Sequence, residues 1–341
     1  MSDGQLLGEG ARRLGWLDAV RAAACLMVVL LHAASPATAQ KWTGAEPALA
    51  WHVANVIHAM TRIAVPLFFM ISGYLYLSRE DFPLGRRLAR VLVPLVFYTV
   101  IAAAYRDATG PDQFSKVLFG AFTAPAFYHL WFFYTLAILV VFFALIRPRA
   151  IDPLAGIAIS LAILFLFGSS AEYIANVTFG FQSAFAEVRG PMEAMVFCFL
   201  GYFCGRLDLD RSRFVRPPVT IALFVGGWAV AALGTLYISL AAGAPKTAYY
   251  SQGSPFVAIS AIGLFLALRQ AAPTSRLLGL VATYSLGIYG FHAFVMASIP
   301  PAWTGWAGQV GAIGVRFALA LAGALVLSVL VGLVDRKRWL V

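Results

Sequence analysis

"WLDAVRAAACLMVVLLHAA", residues 16–34, decides the fold class. Between Arg21 and His32 every residue is apolar or small, so the segment reads as a helix suited to hydrocarbon surroundings. Two ionisable groups interrupt that reading. Eleven residues at about 100° each come to roughly three turns, so Arg21 and His32 share a face and lie ~16 Å apart along the axis. That is about half of a bilayer's hydrocarbon thickness, which puts the two side chains at different depths.

The remainder of the chain repeats the apolar theme. Its 341 residues are 61% hydrophobic and 12% charged, with a mean hydropathy of +0.82. A soluble domain of this length has no interior large enough for so much apolar surface, and apolar stretches of about 20 residues recur. The fold class is therefore all-α, a polytopic membrane protein. Apolar windows predict about ten transmembrane helices, near 14–35, 52–78, 87–105, 127–147, 154–169, 190–206, 217–241, 254–270, 283–300 and 310–334, forming one transmembrane domain over 1–341. Arg12 and Arg13 ahead of an apolar run, with "ATA" at 37–39, imitate a secretory signal. Asp18 and Arg21 inside that run suit an h-region poorly, so a retained first helix is expected.

A net charge of +10 raises the question of nucleic acid, but the basic residues are scattered through short inter-helix segments. Seventeen Lys and Arg fall in the N-terminus, the 79–90, 147–153, 206–216 and 269–282 loops and the C-terminal tail; five fall in the alternate loops. The positive-inside rule then makes both termini cytoplasmic, with Arg21 in the cytoplasmic half of helix 1 and His32 in its outward half. No nucleic-acid partner is expected; membrane lipids are. Cys25, Cys198 and Cys204 lie in apolar segments without CxxC spacing, so neither a disulfide framework nor a metal site is expected. HExxH, GxSxG and P-loop patterns are absent, which removes the common soluble hydrolase and nucleotidase classes.

A charge near the centre of a span costs about 2.5–3.5 kcal/mol on insertion scales, so each one needs a reason. Asp18 and Arg21, at i and i+3, can neutralise each other. His32 has no acidic neighbour within a turn and is read as functional. Arg62 follows His58 by one turn on the same face, His129 opens helix 4, and His292 stands near mid-depth in helix 9. His32 is expected to share a cavity with Arg62, His129 and His292. Competing bland readings put His129 in an interfacial aromatic belt with Tyr128 and Trp131, His58 at a wet boundary, and Arg316 in a structural pair with Glu193. The loop "REDFPLGRRLARVLVP", residues 79–94, sets Arg86, Arg87 and Arg90 at a helix entrance, where Arg87 and Arg90 are spaced to grip phosphates. Simple topology signals are the alternative. "ISGYLYLSR" (71–79) and "LGYFCGRLD" (200–208) are faintly alike, too little for an internal duplication.

Four ordered motifs carry a resemblance: residues 16–34 above, "VPLFFMISGYLYL" (65–77), "FYHLWFFYTLAILV" (127–140) and "YSLGIYGFHAF" (284–294). Together they resemble the acyltransferase-3 membrane proteins over nearly the whole chain. The resemblance implies transfer of acetyl from cytoplasmic acetyl-CoA, a co-substrate rather than a bound cofactor, to hydroxyls of envelope glycans or lipid-linked saccharides at a bacterial inner membrane. It implies His32 and Arg21 as the essential pair, and Arg87 and Arg90 as the pair associated with the acyl donor. His129, Trp131 and His292 match recurring motifs of less settled role, and a fused hydrolase-like domain found in some relatives is not expected. The chemistry agrees: an imidazole takes a proton from a sugar hydroxyl attacking a thioester, and guanidinium groups suit the phosphates of coenzyme A. The rival class is a transporter of polar lipid or glycan, where ionisable residues in spans are also expected.

Overall fold

The computed structural model describes residues 3–42, 47–79, 81–146, 148, 150–170, 173, 189–210, 212 and 215–341, with side chains from residue 15 onward. Regular structure among them is helical throughout: α1 Asp3–Ala39, α2 Leu49–Thr61, α3 Ala64–Leu77, α4 Leu84–Thr109, α5 Phe114–Gly120, α6 Trp131–Leu145, α7 Pro153–Phe167, α8 Arg189–Arg206, α9 Pro217–Ala242, α10 Pro255–Ala271, α11 Arg276–Thr283, α12 Ser285–Ala297, α13 Ala302–Gly305 and α14 Gly308–Val334. Seven segments are long and apolar enough to cross a membrane: 15–39 of α1, Leu49–Leu77, α4, Tyr128–Leu145, α9, Ala248–Ala271 and α14. The pair α11 and α12 makes an eighth. The chain is a multi-pass membrane protein. The other two expected windows hold α7, at 15 residues and ~22 Å shorter than a typical hydrocarbon core, and α8, which carries Arg189, Glu193 and Arg206.

Three expected elements need correction. The first helix runs well past both ends of the apolar window, from Asp3 to Ala39. The second is broken between Thr61 and Ala64. Pro66 has no N–H for the Arg62 carbonyl four residues back, and its ring crowds that carbonyl, so the ladder fails there. The segment 269–282, expected to be a loop, contains α11, which meets α12 at a 73° bend. Ser275 explains its start, because its Oγ accepts the Leu278 N–H at 3.1 Å as an N-cap.

α1 is the hub of the bundle, packing against α2, α3, α10, α11, α12 and α14. Its small and apolar face supplies Ala22, Ala24, Cys25 and Val29 to the core with no exposure. α9 and α14 turn apolar side chains outward, with Leu233 65% and Leu333 73% exposed, as lipid-facing helices do. The two faintly similar motifs pack against each other: a Cβ on Gly73 would meet the Cys198 backbone, and one on Gly201 the Met70 backbone. Close backbone approach through glycine is how membrane helices gain contact area without a hydrophobic driving force.

Candidate active site

Three segments far apart in sequence bring three histidines together. His32 comes from α1, His129 from the 3-10 turn Tyr128–Leu130 ahead of α6, and His292 from α12. The His32 and His292 rings stack with centroids 5.2 Å apart at 30°, and His129 stands edge-on to His292 at 5.3 Å. Tyr128 closes on His32 from another side at 5.0 Å. His129 is 2% exposed and His292 is fully buried. The aromatic-belt reading of His129 is thereby overturned; the turn before α6 carries it inward.

Hydrogen bonding sets the tautomers of the two buried rings. His129 Nε2 lies 3.0 Å from the Gly290 carbonyl, and His292 Nδ1 lies 2.7 Å from the Tyr289 carbonyl in its own helix. A carbonyl only accepts, so each of these nitrogens carries the hydrogen. In a neutral ring the other nitrogen keeps its lone pair. Those atoms, His129 Nδ1 and His292 Nε2, are buried and have no hydrogen-bond partner among the described residues. Leaving a buried acceptor unsatisfied costs about 1–3 kcal/mol, an expense expected where a substrate hydroxyl is to be received. Tyr289 donates its hydroxyl to the His129 carbonyl, fixing the turn from below. His32 makes no hydrogen bond among the described residues, so both of its nitrogens are available.

Arg62 stands at the break between α2 and α3. Its Nη2 is 3.5 Å from His58 Nδ1, its guanidinium lies 5.5 Å from the Tyr250 ring centre, and its Nε is buried without a partner. Through His58 it is linked to Ser35 of α1, three residues after His32. His58 is 3% exposed, with Nε2 3.2 Å from Ser35 Oγ, which displaces it from the wet boundary into the rim of the cluster. No carboxylate joins the group among the described residues, so the cluster combines one guanidinium with neutral imidazoles. Nor does any set of three His, Cys, Asp or Glu there have the geometry to hold a metal ion.

A second polar site is formed by the turn into α4. Arg79, Asp81, Pro83, Arg86, Arg87 and Arg90 line a 280 Å3 pocket. Arg87 is committed elsewhere. It donates to the carbonyls of Asp81 at 3.1 Å and Tyr76 at 3.4 Å, stacks on Phe82 with its guanidinium carbon 3.9 Å from the ring centre, and is 8% exposed. Arg79, Arg86 and Arg90 are exposed and line the pocket, with no ion pair or hydrogen bond among the described residues.

Arg21 does not line that pocket. Its Nη1 pairs with Asp18 Oδ1 at 2.7 Å, and both side chains are partly exposed. The stripe between Arg21 and His32 is filled by Cys25, Val28 and Val29, all packed into the core. Trp131 packs near Phe69, 6.4 Å between ring centres, and makes no ring contact with the three histidines among the described residues. The expected pair of Arg316 and Glu193 does not form: Glu193 accepts from the Ser169 N–H and hydroxyl at 2.8 Å each, while Arg316 faces a separate pocket.

Sequence reading missed Tyr128, Tyr289, Tyr250 and Ser35. Helical spacing offered a signal for Tyr289, three residues before His292. Prolines offered another: Pro36, Pro66 and Pro94 each follow a candidate site residue by four positions, namely His32, Arg62 and Arg90. Each withholds the N–H that the carbonyl four back would use, loosening the backbone at these three points.

This arrangement, imidazoles with free lone pairs beside an uncompensated guanidinium and a separate arginine pocket, suits acyl transfer from an anionic donor. The model of the acyltransferase-3 family, described as an acyltransferase domain, matches residues 14–334. No significant match is found among curated proteins. The matched span takes in the histidine cluster, Arg62 and the arginine pocket alike, and the chain belongs to the acyltransferase-3 family of membrane acyltransferases.

Proposed function

We propose that the protein is an O-acetyltransferase, moving acetyl from cytoplasmic acetyl-CoA to a hydroxyl of a cell-envelope glycan or lipid-linked saccharide at a bacterial inner membrane. The observation that carries this reading is His32, without a hydrogen bond among the described residues, stacked on His292 and three residues from the Ser35–His58–Arg62 chain. Its motifs also resemble, within the family, the inner-membrane O-acetyltransferase of enterobacterial common antigen, which supports acetyl as the group transferred.

In the proposed reaction the acceptor oxygen attacks the thioester carbonyl carbon and passes its proton to His32. The resulting oxyanion is stabilised by the Arg62 guanidinium. Collapse breaks the C–S bond, the proton leaves with the coenzyme A thiol, and the acetyl ester remains on the acceptor. A relay through acetyl-His32 uses the same free nitrogen. His129 Nδ1 and His292 Nε2 accept hydrogen bonds from the acceptor's hydroxyls and orient it. The test is transfer of labelled acetyl from acetyl-CoA to a glycan by the purified protein. The broken helices at Arg62 and at the α11–α12 bend also suit a transporter, and a purified protein that acetylates without a gradient decides against it.

The donor reading assigns phosphates to Arg79, Arg86 and Arg90, with Arg87 as the residue that holds their turn. Arg86→Ala and Arg90→Ala should each weaken acetyl-CoA binding about fivefold, as expected for exposed ion pairs, with unchanged melting. Arg87→Ala should instead lower the melting temperature, because two backbone carbonyls lose their donor. Titration calorimetry beside thermal melts separates these; unchanged affinity in the Arg86/Arg90 double variant returns them to topology signals.

Both termini are proposed to be cytoplasmic, on the basic asymmetry of the loops. Reporter fusions within 106–126 and 206–216 should report opposite sides of the membrane. Reports from one side would overturn the orientation.

A further inference from the structure

Arg316 lies two turns into α14, inside a span, where an unpaired charge is costly. Arg21 has Asp18, and Arg62 has His58 and the Tyr250 ring. Arg316 has no hydrogen bond or ion pair among the described residues. It lines instead a 380 Å3 pocket with Pro36 and Ala37 of α1, Gln40 just past its end, Thr304 of α13 and Gln309 of α14. That volume is at the small end of ligand sites, with room for a monosaccharide-sized group.

The pocket is registered to His32. Pro36 follows His32 at i+4, so it continues the histidine's own stripe of α1 outward, and Gln40 lies just past the end of that helix. Pro36 also leaves the His32 carbonyl without its helical donor, adding an acceptor at the level between pocket and cluster. α14 reaches the same level of α1, since Ile313 packs with Ala33 and Ala34. Trp303 and Trp306, 58% and 79% exposed, adjoin the lining residue Thr304. Tryptophans of this kind gather at the membrane–water interface, which sets the mouth at headgroup level.

We infer that this pocket is an acceptor subsite for an anionic group, a phosphate or carboxylate carried by the saccharide, paired with Arg316. A planar guanidinium without a partner among the described residues matches the two oxygens of such a group, and the Gln40 and Gln309 amides serve neighbouring hydroxyls. Anchoring the acceptor one turn outward of His32 presents a hydroxyl of the same molecule to the imidazole. The inference rests on the acetyltransferase reading above and adds to it the charge of the acceptor.

The test uses the full chain in phosphatidylcholine nanodiscs, titrated with glucose 1-phosphate, methyl glucuronoside and neutral methyl glucoside. The wild type should bind the two anionic sugars about ten- to a hundredfold more tightly than the neutral one, and added salt should narrow the gap. Arg316→Gln should abolish the difference and Arg316→Lys should retain part of it, with melting temperatures confirming that both variants fold. Equal affinity of the wild type for all three sugars, or an unchanged preference in folded Arg316→Gln, overturns the inference. The anion has a second source, the headgroup of an anionic lipid. In discs containing phosphatidylglycerol the preference should persist; its loss through occupation by lipid makes this a headgroup site and also overturns the inference. The two readings fail separately. A wild type that selects anionic sugars yet transfers labelled acetyl to no envelope glycan sinks the acetyltransferase reading alone. One that acetylates, with the same acceptor KM in Arg316→Gln, sinks the subsite alone.

Discussion

His32→Ala, compared molecule for molecule with the wild type, should lose about 10²–10⁴-fold in acetyl transfer and keep its affinity for acetyl-CoA. The size is that of a positioned base in a proton transfer. The specificity of the effect follows from what His32 does not do. It makes no hydrogen bond among the described residues, so truncation orphans no partner and the fold loses only the ring contacts with Tyr128 and His292. Removing a polar group from a span costs the helix little. The arginine pocket is built from the turn between α3 and α4 and shares no lining residue with α1, so donor affinity has no reason to change. A structural histidine would give the reverse pattern, with less folded protein and intact turnover in what remains. Transfer per folded molecule, measured beside donor affinity, separates the two. A folded variant acetylating at near wild-type rate would move the proton transfer to His292 or His129.

Most of the architecture was legible because hydrocarbon imposes a simple rule, that long apolar runs become helices. Each of the ten predicted windows contains a helix, and the glycines of 71–79 and 200–208 sit where two of those helices touch. Breaks were less legible. The interruption at Arg62 depends on one missing N–H at Pro66, a local effect that a hydropathy window averages away. α11 was hidden by Arg269, Pro273 and Arg276, although Ser275 is an ordinary N-cap. For the site, residue type and shared face were enough to nominate His32, Arg62, His129 and His292; the three histidines pack ring to ring, and Arg62 is linked to α1 through His58 and Ser35. Sequence could not show that Arg87 spends its donors on the Asp81 and Tyr76 carbonyls, because that follows from how the 78–83 turn folds back. Nor could it separate Arg316 from Glu193, since pairing between distant helices depends on which faces meet.

Arg62→Gln should lower kcat for acetyl transfer about 10²–10³-fold with little change in KM for donor or acceptor. Arg62 sits in a cluster whose other members, His32, His58, His129 and His292, offer no negative charge, and its Nε is buried without a partner. A guanidinium kept in that state stabilises an anion that forms only during the reaction, and a thioester under attack develops one on its carbonyl oxygen. An interaction made in the transition state alone appears in kcat and not in KM. The helix break is not at stake, because Pro66 creates it and remains in the variant. A purely structural Arg62 would show its loss as a lower melting temperature, with kcat per folded molecule preserved, and that outcome would remove it from the chemistry. Arg62→Lys keeps the charge but loses the planar fork, so its rate should fall between the two. The double variant His32→Ala/Arg62→Gln gives the last discrimination. Groups acting on one transition state are strongly non-additive, so it should be little slower than His32→Ala, while a simple product of the two losses would assign them to separate steps.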